Sequence, residues 1–158
     1  MKGPAGPLGA RAVATITGGS VEGQRVSGKV LPSVSDGWIQ RSDGVMVLDV
    51  RALFQTGDGA LIYMTYEGRL HAAPEIAARL FNPETQESVH PADYYFRTHP
   101  VFETGDERYA WLNKIIAIGV GQLRPLLRSL SMGFCSKWRD QSRVACQAMC
   151  SAMKVEMK

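Results

Sequence analysis

Two Asp-Gly pairs, Asp43-Gly44 and Asp58-Gly59, each divide runs of β-branched and aromatic residues. Such pairs accept the positive φ that tight hairpin turns require, so they are the strongest short-range sign of antiparallel pairing. The runs beside them cover residues 38–41, 45–56 and 60–67. Further runs of this kind cover 12–17, 24–31, 94–98 and 110–120, bounded by Gly18-Gly19, Pro32 and Gly105-Asp106. A helix is predicted over 74–81: Pro74 suits its first turn, Ile76, Leu80 and Phe81 recur at helical spacing, and Asn82-Pro83 ends it. Many short strands and one short helix predict a barrel or a sandwich.

Alternation assigns faces. In 109–118, Trp111, Asn113, Ile115 and Ala117 share one side and Lys114 lies on the other, which places Trp111 and Asn113 inside. Asp49 and Arg51 share a face with Val45, Val47 and Leu53. Tyr66 shares one with Ile62 and Met64, and Tyr95 shares one with Arg97.

The chain of 158 residues fits one domain, and hydrophobic residues at 45% can supply its core. No apolar run approaches the roughly 20 residues of a membrane helix, and the first residues lack a signal peptide's apolar stretch. The net charge of +3 gives no argument for nucleic acid. A cytoplasmic protein is expected.

Composition breaks near Gly121. Residues 1–121 hold 11 Lys+Arg and 13 Asp+Glu, a net of −2; residues 122–158 hold 7 and 2, a net of +5. The second part has all three cysteines and one of sixteen glycines. The domain expectation is therefore a β domain over 1–124 and a basic, Cys/Met-rich tail over 125–158 outside it. Val144, Ala148, Cys150, Met153 and Met157 recur at roughly helical spacing, so residues 141–157 are expected to be helical or disordered.

Nucleotide loops, HExxH and GxSxG are absent from the sequence, and His71, His90 and His99 follow no metal spacing. No cofactor and no metal are expected. His90 and His99 precede prolines and read as turn residues. His71 reads as a loop residue, with a proton-shuttle role as the alternative.

Three stretches, ITGGSVEGQRVSGKVLP, DGVMVLDVRALFQTGDGALIYMTYEGRLH and DYYFRTHPVFETGDERYAWLNKIIAIGVGQ, together resemble the small β-barrel family known as domain of unknown function 3237, of bacteria and fungi. Their order and spacing carry the resemblance over roughly residues 11–124. It implies an antiparallel barrel, in some relatives oligomeric, with ligand-binding or tailoring roles in small-molecule metabolism. The LLRSLSMGF… continuation differs from the strand expected there and resembles a frame-shifted, alternatively spliced or read-through terminus.

The expected site follows from that barrel. Arg97, Glu103 and Asp49 are the candidate catalytic residues, as acid–base or oxyanion support, with a structural ion pair as the alternative for Arg97 and Glu103. Tyr66, Trp111, Asn113, Arg51 and Tyr95 are the candidate ligand-binding residues. Gly68 opens space beside Tyr66, and Asn113 either meets a ligand or satisfies backbone. Arg97, Asn113, Trp111 and Tyr66 are expected to line one cavity. The expected function is binding of a small apolar or aromatic metabolite, either by a cofactor-independent isomerase, cyclase or hydratase or by a non-catalytic binding module. An inactive splice or frame-shift variant is the third alternative. No nucleic acid or membrane partner is expected, and a homo-oligomer is compatible with the resemblance.

Overall fold

The computed structural model describes residues 2–124, 129–135 and 151–157. The strands among them, in chain order, are β1 (Lys2–Gly6), β2 (Gly9–Glu22), β3 (Gly28–Leu31), β4 (Ser33–Gln40), β5 (Met46–Thr56), β6 (Leu61–Ala72), β7 (Tyr94–Glu103), β8 (Ile118–Arg124), β9 (Ser129–Cys135) and β10 (Ser151–Met157). One α-helix, α1 (Pro74–Leu80), begins on its proline and buries Leu80.

Asp43-Gly44 and Asp58-Gly59 are hairpin tips, whereas a third Asp-Gly pair, Asp36-Gly37, lies within β4, paired to β2 and β5. Gly44 has φ 84° between β4 and β5, and Gly59 has φ 91° between β5 and β6. A side chain at either position would strain the turn. From these tips the antiparallel ladder runs continuously through β4–β5, β5–β6 and β6–β7.

The sheet closes on itself. Its ring passes from β2 through β10, β9, β8, β7, β6 and β5, and returns to β2 across one further slot. That slot is shared: β4 bridges β2 and β5 at one end, and β3 bridges them at the other. The ring therefore has eight positions around its girth, with β1 added on β2 as a short hairpin. Gly18 and Gly19 lie in β2 where its pairing passes from β4 to β3, beside a register shift against β10. The inside of the ring holds one apolar core, including Ile16, Val50, Phe54, Ile62, Met64 and Phe96.

Two sequence expectations change here. Residues 107–114 form a 3-10 helix, Glu107–Lys114, rather than the start of a strand over 110–120. Asp106 caps it by accepting a hydrogen bond from the Arg108 N–H. The tail is also not wholly outside the sheet. Ser129–Cys135 pairs with β8, and Ser151–Met157 pairs with both β9 and β2, so these two segments complete the ring. Within 141–157, expected to be helical or disordered, Ser151–Met157 is a strand, because pairing to two neighbours outweighs a weak helical preference. Residues 125–128, 136–150 and 158, the rest of the expected tail, lie outside the described residues.

Candidate functional site

Strand parity decides where the nominated residues stand. On β6, Ile62, Met64, Tyr66, Gly68 and Leu70 turn inward and are buried. Tyr66 is 2% exposed, as its shared face with Ile62 and Met64 implies. On β5 the inward set is Leu48, Val50, Ala52, Phe54 and Thr56, so Asp49 and Arg51 turn outward and pair with each other at 2.9 Å. On β7 the inward set is Tyr94, Phe96, Thr98 and Pro100, so Tyr95, Arg97 and Glu103 are exposed on the outer face.

The expected single cavity is thereby corrected. Arg97 and Tyr66 stand on opposite sides of the sheet, since β6 pairs with β7 at Arg69↔Arg97 and Tyr66↔Pro100 and parity alternates along each strand. Asp49, Arg51, Tyr95, Arg97 and Glu103 instead form one outer face across β5, β6 and β7. Arg97 donates to the Phe96 carbonyl at 2.9 Å and lies over the Tyr95 ring.

Asn113 and Trp111 belong to the 3-10 helix rather than to a strand wall. The Asn113 amide clamps the backbone of Thr104: its Oδ1 accepts from the Thr104 N–H at 2.8 Å, and its Nδ2 donates to the Thr104 carbonyl at 2.9 Å. That is backbone satisfaction, one of its two expected roles. Trp111 is half-buried against the core, with the Arg25 guanidinium 3.7 Å from its ring centroid.

The inner wall is apolar, relieved by hydroxyls. Among the described residues no charged side chain is buried; the buried polar residues are Thr56, Thr98 and Thr104, to which Tyr66 and Tyr94 add phenols. The Leu123 N–H donates to the Tyr94 oxygen at 3.1 Å, while burial pushes the Tyr94 phenol above its ordinary pKa. Ala117, just before β8, and Gly119 and Gly121 within it are small, buried inward positions. The Phe96 ring fills the space over Gly121, where a Cβ would lie 2.4 Å from it.

A polar network that the sequence reading missed closes one barrel end. Arg108 bridges Asp58 at 2.8 Å and Asp106 at 2.6 Å, and the Tyr109 hydroxyl donates to Asp58. The hydrogen bond from the Thr56 hydroxyl, helped by Tyr109 and Arg108, holds the Asp58 carboxyl below its ordinary pKa. The Arg108 guanidinium does the same for Asp106, and these partners hold Arg108 more firmly protonated than usual. The sequence traces of this network were Asp58 and Asp106, which read as turn residues. His90 also serves locally: its Nδ1 accepts from the Ala92 N–H and caps a short 3-10 helix.

Among the described residues no group of three or more His, Cys, Asp or Glu side chains could hold a metal ion. No helix among them is long and apolar enough to cross a membrane.

Comparison with known proteins places this geometry in company. The model of a family described as "Protein of unknown function (DUF3237)" matches residues 1–132, past the boundary expected at 124. A UPF0311 protein of Rhodopseudomonas palustris is 39% identical over 111 residues, covering 70% of this chain and 71% of that one. The structure of a beta-barrel like protein from Acinetobacter baumannii superposes with a TM-score of 0.64 at 26% identity, over 100% of this chain and 85% of that one. The structure of an enzyme from Penicillium herquei gives 0.52 at 21% identity, over 100% and 86%, a likeness of fold alone.

Proposed function

The chain belongs to the DUF3237 family, and from that premise and the character of the inner wall we propose that the barrel is a binding module for one small apolar or aromatic metabolite. The observation that carries the reading is the eight-position closed ring, whose inner face is uncharged among the described residues. A ring of about eight strands has an interior that is either filled by its own side chains or holds one small ligand. Here the inward residues Ala52, Ala117 and Gly119 are small, and Tyr66 supplies a phenol to orient a guest. Apolar lining with a few placed polar groups is the usual character of a small-molecule site. Binding of this kind needs no metal or nucleotide, and a cytoplasmic setting suits it.

The non-catalytic form is favoured over the tailoring enzyme by one observation. The carboxylates nominated for acid–base work, Asp49 and Glu103, stand on the outer face, away from Tyr66. The hydroxyls of the inner wall can orient a ligand, and among the described residues no carboxylate or histidine is buried beside them to exchange protons.

Titration with the neutral fluorophore N-phenyl-1-naphthylamine tests the reading. Saturable one-to-one binding is expected, weakened in Tyr66→Phe if the ligand is polar at one end and lost in Ala117→Leu, with both variants still folded by circular dichroism. Absence of saturable binding, or equal binding by folded Ala117→Leu, would overturn it.

A further inference from the structure

The outer face of β6, β7 and β8 carries charges in an order that the single barrel leaves unresolved. Asp49 lies directly beside Glu67, and Glu67 beside His99, in one row across β5, β6 and β7. The next row places Arg69 directly beside Arg97. Like charges directly opposite on paired strands are destabilising. Among the described residues no ion pair engages Glu67, Arg69 or Arg97; the arginines donate to the carbonyls of Gly68 and Phe96 on their own strands. Both rows run onto an apolar stripe of β8. Ile118 continues the acidic row, and Val120, paired with Arg97, continues the basic one. Ile118 is 53% exposed and Val120 41%, with Ile116 at 67% beside Val101. An exposed apolar stripe of this kind, rimmed by charge, is characteristic of an association surface.

We infer that this face docks a second copy of the same chain about a two-fold axis lying between the two rows and perpendicular to the strands. The rows themselves select that occupant. Rotation about this axis brings each row over the other row of the partner, strand on strand. Glu67 then faces Arg69 of the partner subunit, and Arg69 faces Glu67 of the partner subunit. Ile118 is laid on Val120 of the partner subunit, and the reverse contact follows by symmetry. At the centre of the face the Glu67 carboxylate and the Arg69 guanidinium each gain an opposite charge, and the apolar stripe covers itself. An isologous interface requires such self-complementarity, in which residue i meets j and j meets i. A partner of uniform charge would match only one of the rows.

The test is a charge swap read by sedimentation velocity across a concentration series. The wild type should sediment at twice its chain mass of 17.3 kDa at about 0.1 mM and dissociate on dilution or in high salt. Glu67→Arg alone and Arg69→Glu alone should each be monomeric, since each places like charge over like charge. An equal mixture of the two variants should recover the dimer, because the basic side chains at 67 and 69 of the Glu67→Arg copy then face the acidic side chains at 69 and 67 of the Arg69→Glu copy. Ile118→Lys should be monomeric and should not be rescued by mixing. All variants are first required to match the wild-type circular dichroism, and the substituted positions are exposed. A wild type monomeric throughout the series, single reversals that leave the dimer intact, or a mixture that stays monomeric would overturn the inference.

Discussion

Asn113→Ala separates a side chain that holds the fold from one that holds a ligand. Both polar ends of the amide are committed to Thr104, at 2.8 and 2.9 Å. Thr104 is itself buried, and its hydroxyl donates to the Leu61 carbonyl at 2.7 Å, so the clamp ties the end of β7 to β6. Each neutral hydrogen bond contributes about 1 kcal/mol net, and leaving a buried group unpaired costs about 1–3 kcal/mol. Water reaches the Asn113 side, which limits the loss to about 2 kcal/mol. For a chain of this length that corresponds to a fall of roughly 4–8 °C in melting temperature. Thermal denaturation followed by circular dichroism measures it, and probe titration of the same variant below its transition should show affinity within about two-fold of wild type. An unchanged melting temperature with lost probe binding would refute the clamp and return Asn113 to the ligand site.

Gly121→Ala should destabilise the barrel by about 1–3 kcal/mol through collision with the Phe96 ring, and Phe96→Leu in the same chain should recover part of that loss in a double-mutant cycle. The carboxyls of Asp58 and Asp106 have lowered pKa values in the fold, so they bind fewer protons there than in the unfolded chain. Their stabilisation is therefore complete above the ordinary carboxylate value of about 4 and is lost as pH falls through the lowered values. Urea midpoints measured from pH 6 down to about 2 should show that loss, and Arg108→Gln should flatten it. Deleting residues 125–158 removes β9 and β10 from the ring, so a truncated chain should lose its cooperative thermal transition; an unchanged transition would show that the barrel closes without them.

The hairpin tips at 43–44 and 58–59 were legible from their Asp-Gly pairs, and both glycines adopt the positive φ that the pairs implied, while Asp36-Gly37 offers the same local signal and lies inside β4. The helix Pro74–Leu80 was legible from its proline start and asparagine-proline stop. The shared face of Tyr66, Ile62 and Met64 followed from simple alternation on a strand with one clearly apolar side. Alternation failed to orient β5, because Val45, Val47 and Leu53 make its outer side apolar as well; only the closed ring shows that Asp49 and Arg51 face out. Residues 107–114 misled for a different reason. Tyr109, Trp111 and Leu112 suit a strand, but the Asp106 cap and the Asn113–Thr104 clamp depend on residues that no local pattern joins. The outward facing of Arg97 was equally hidden, since Tyr94, Tyr95 and Phe96 place aromatic residues on both sides of β7.

Methyl NMR during titration with N-phenyl-1-naphthylamine tests most directly whether the guest enters the barrel. At a fixed protein concentration, the methyl signals of inward Val50, Ala52, Ile62 and Ala117 should shift along one saturable isotherm, while those of outward Ile116, Ile118 and Val120 stay in place. Shifts confined to the outward methyls, with the inward ones unmoved at saturation, would contradict an interior binding site.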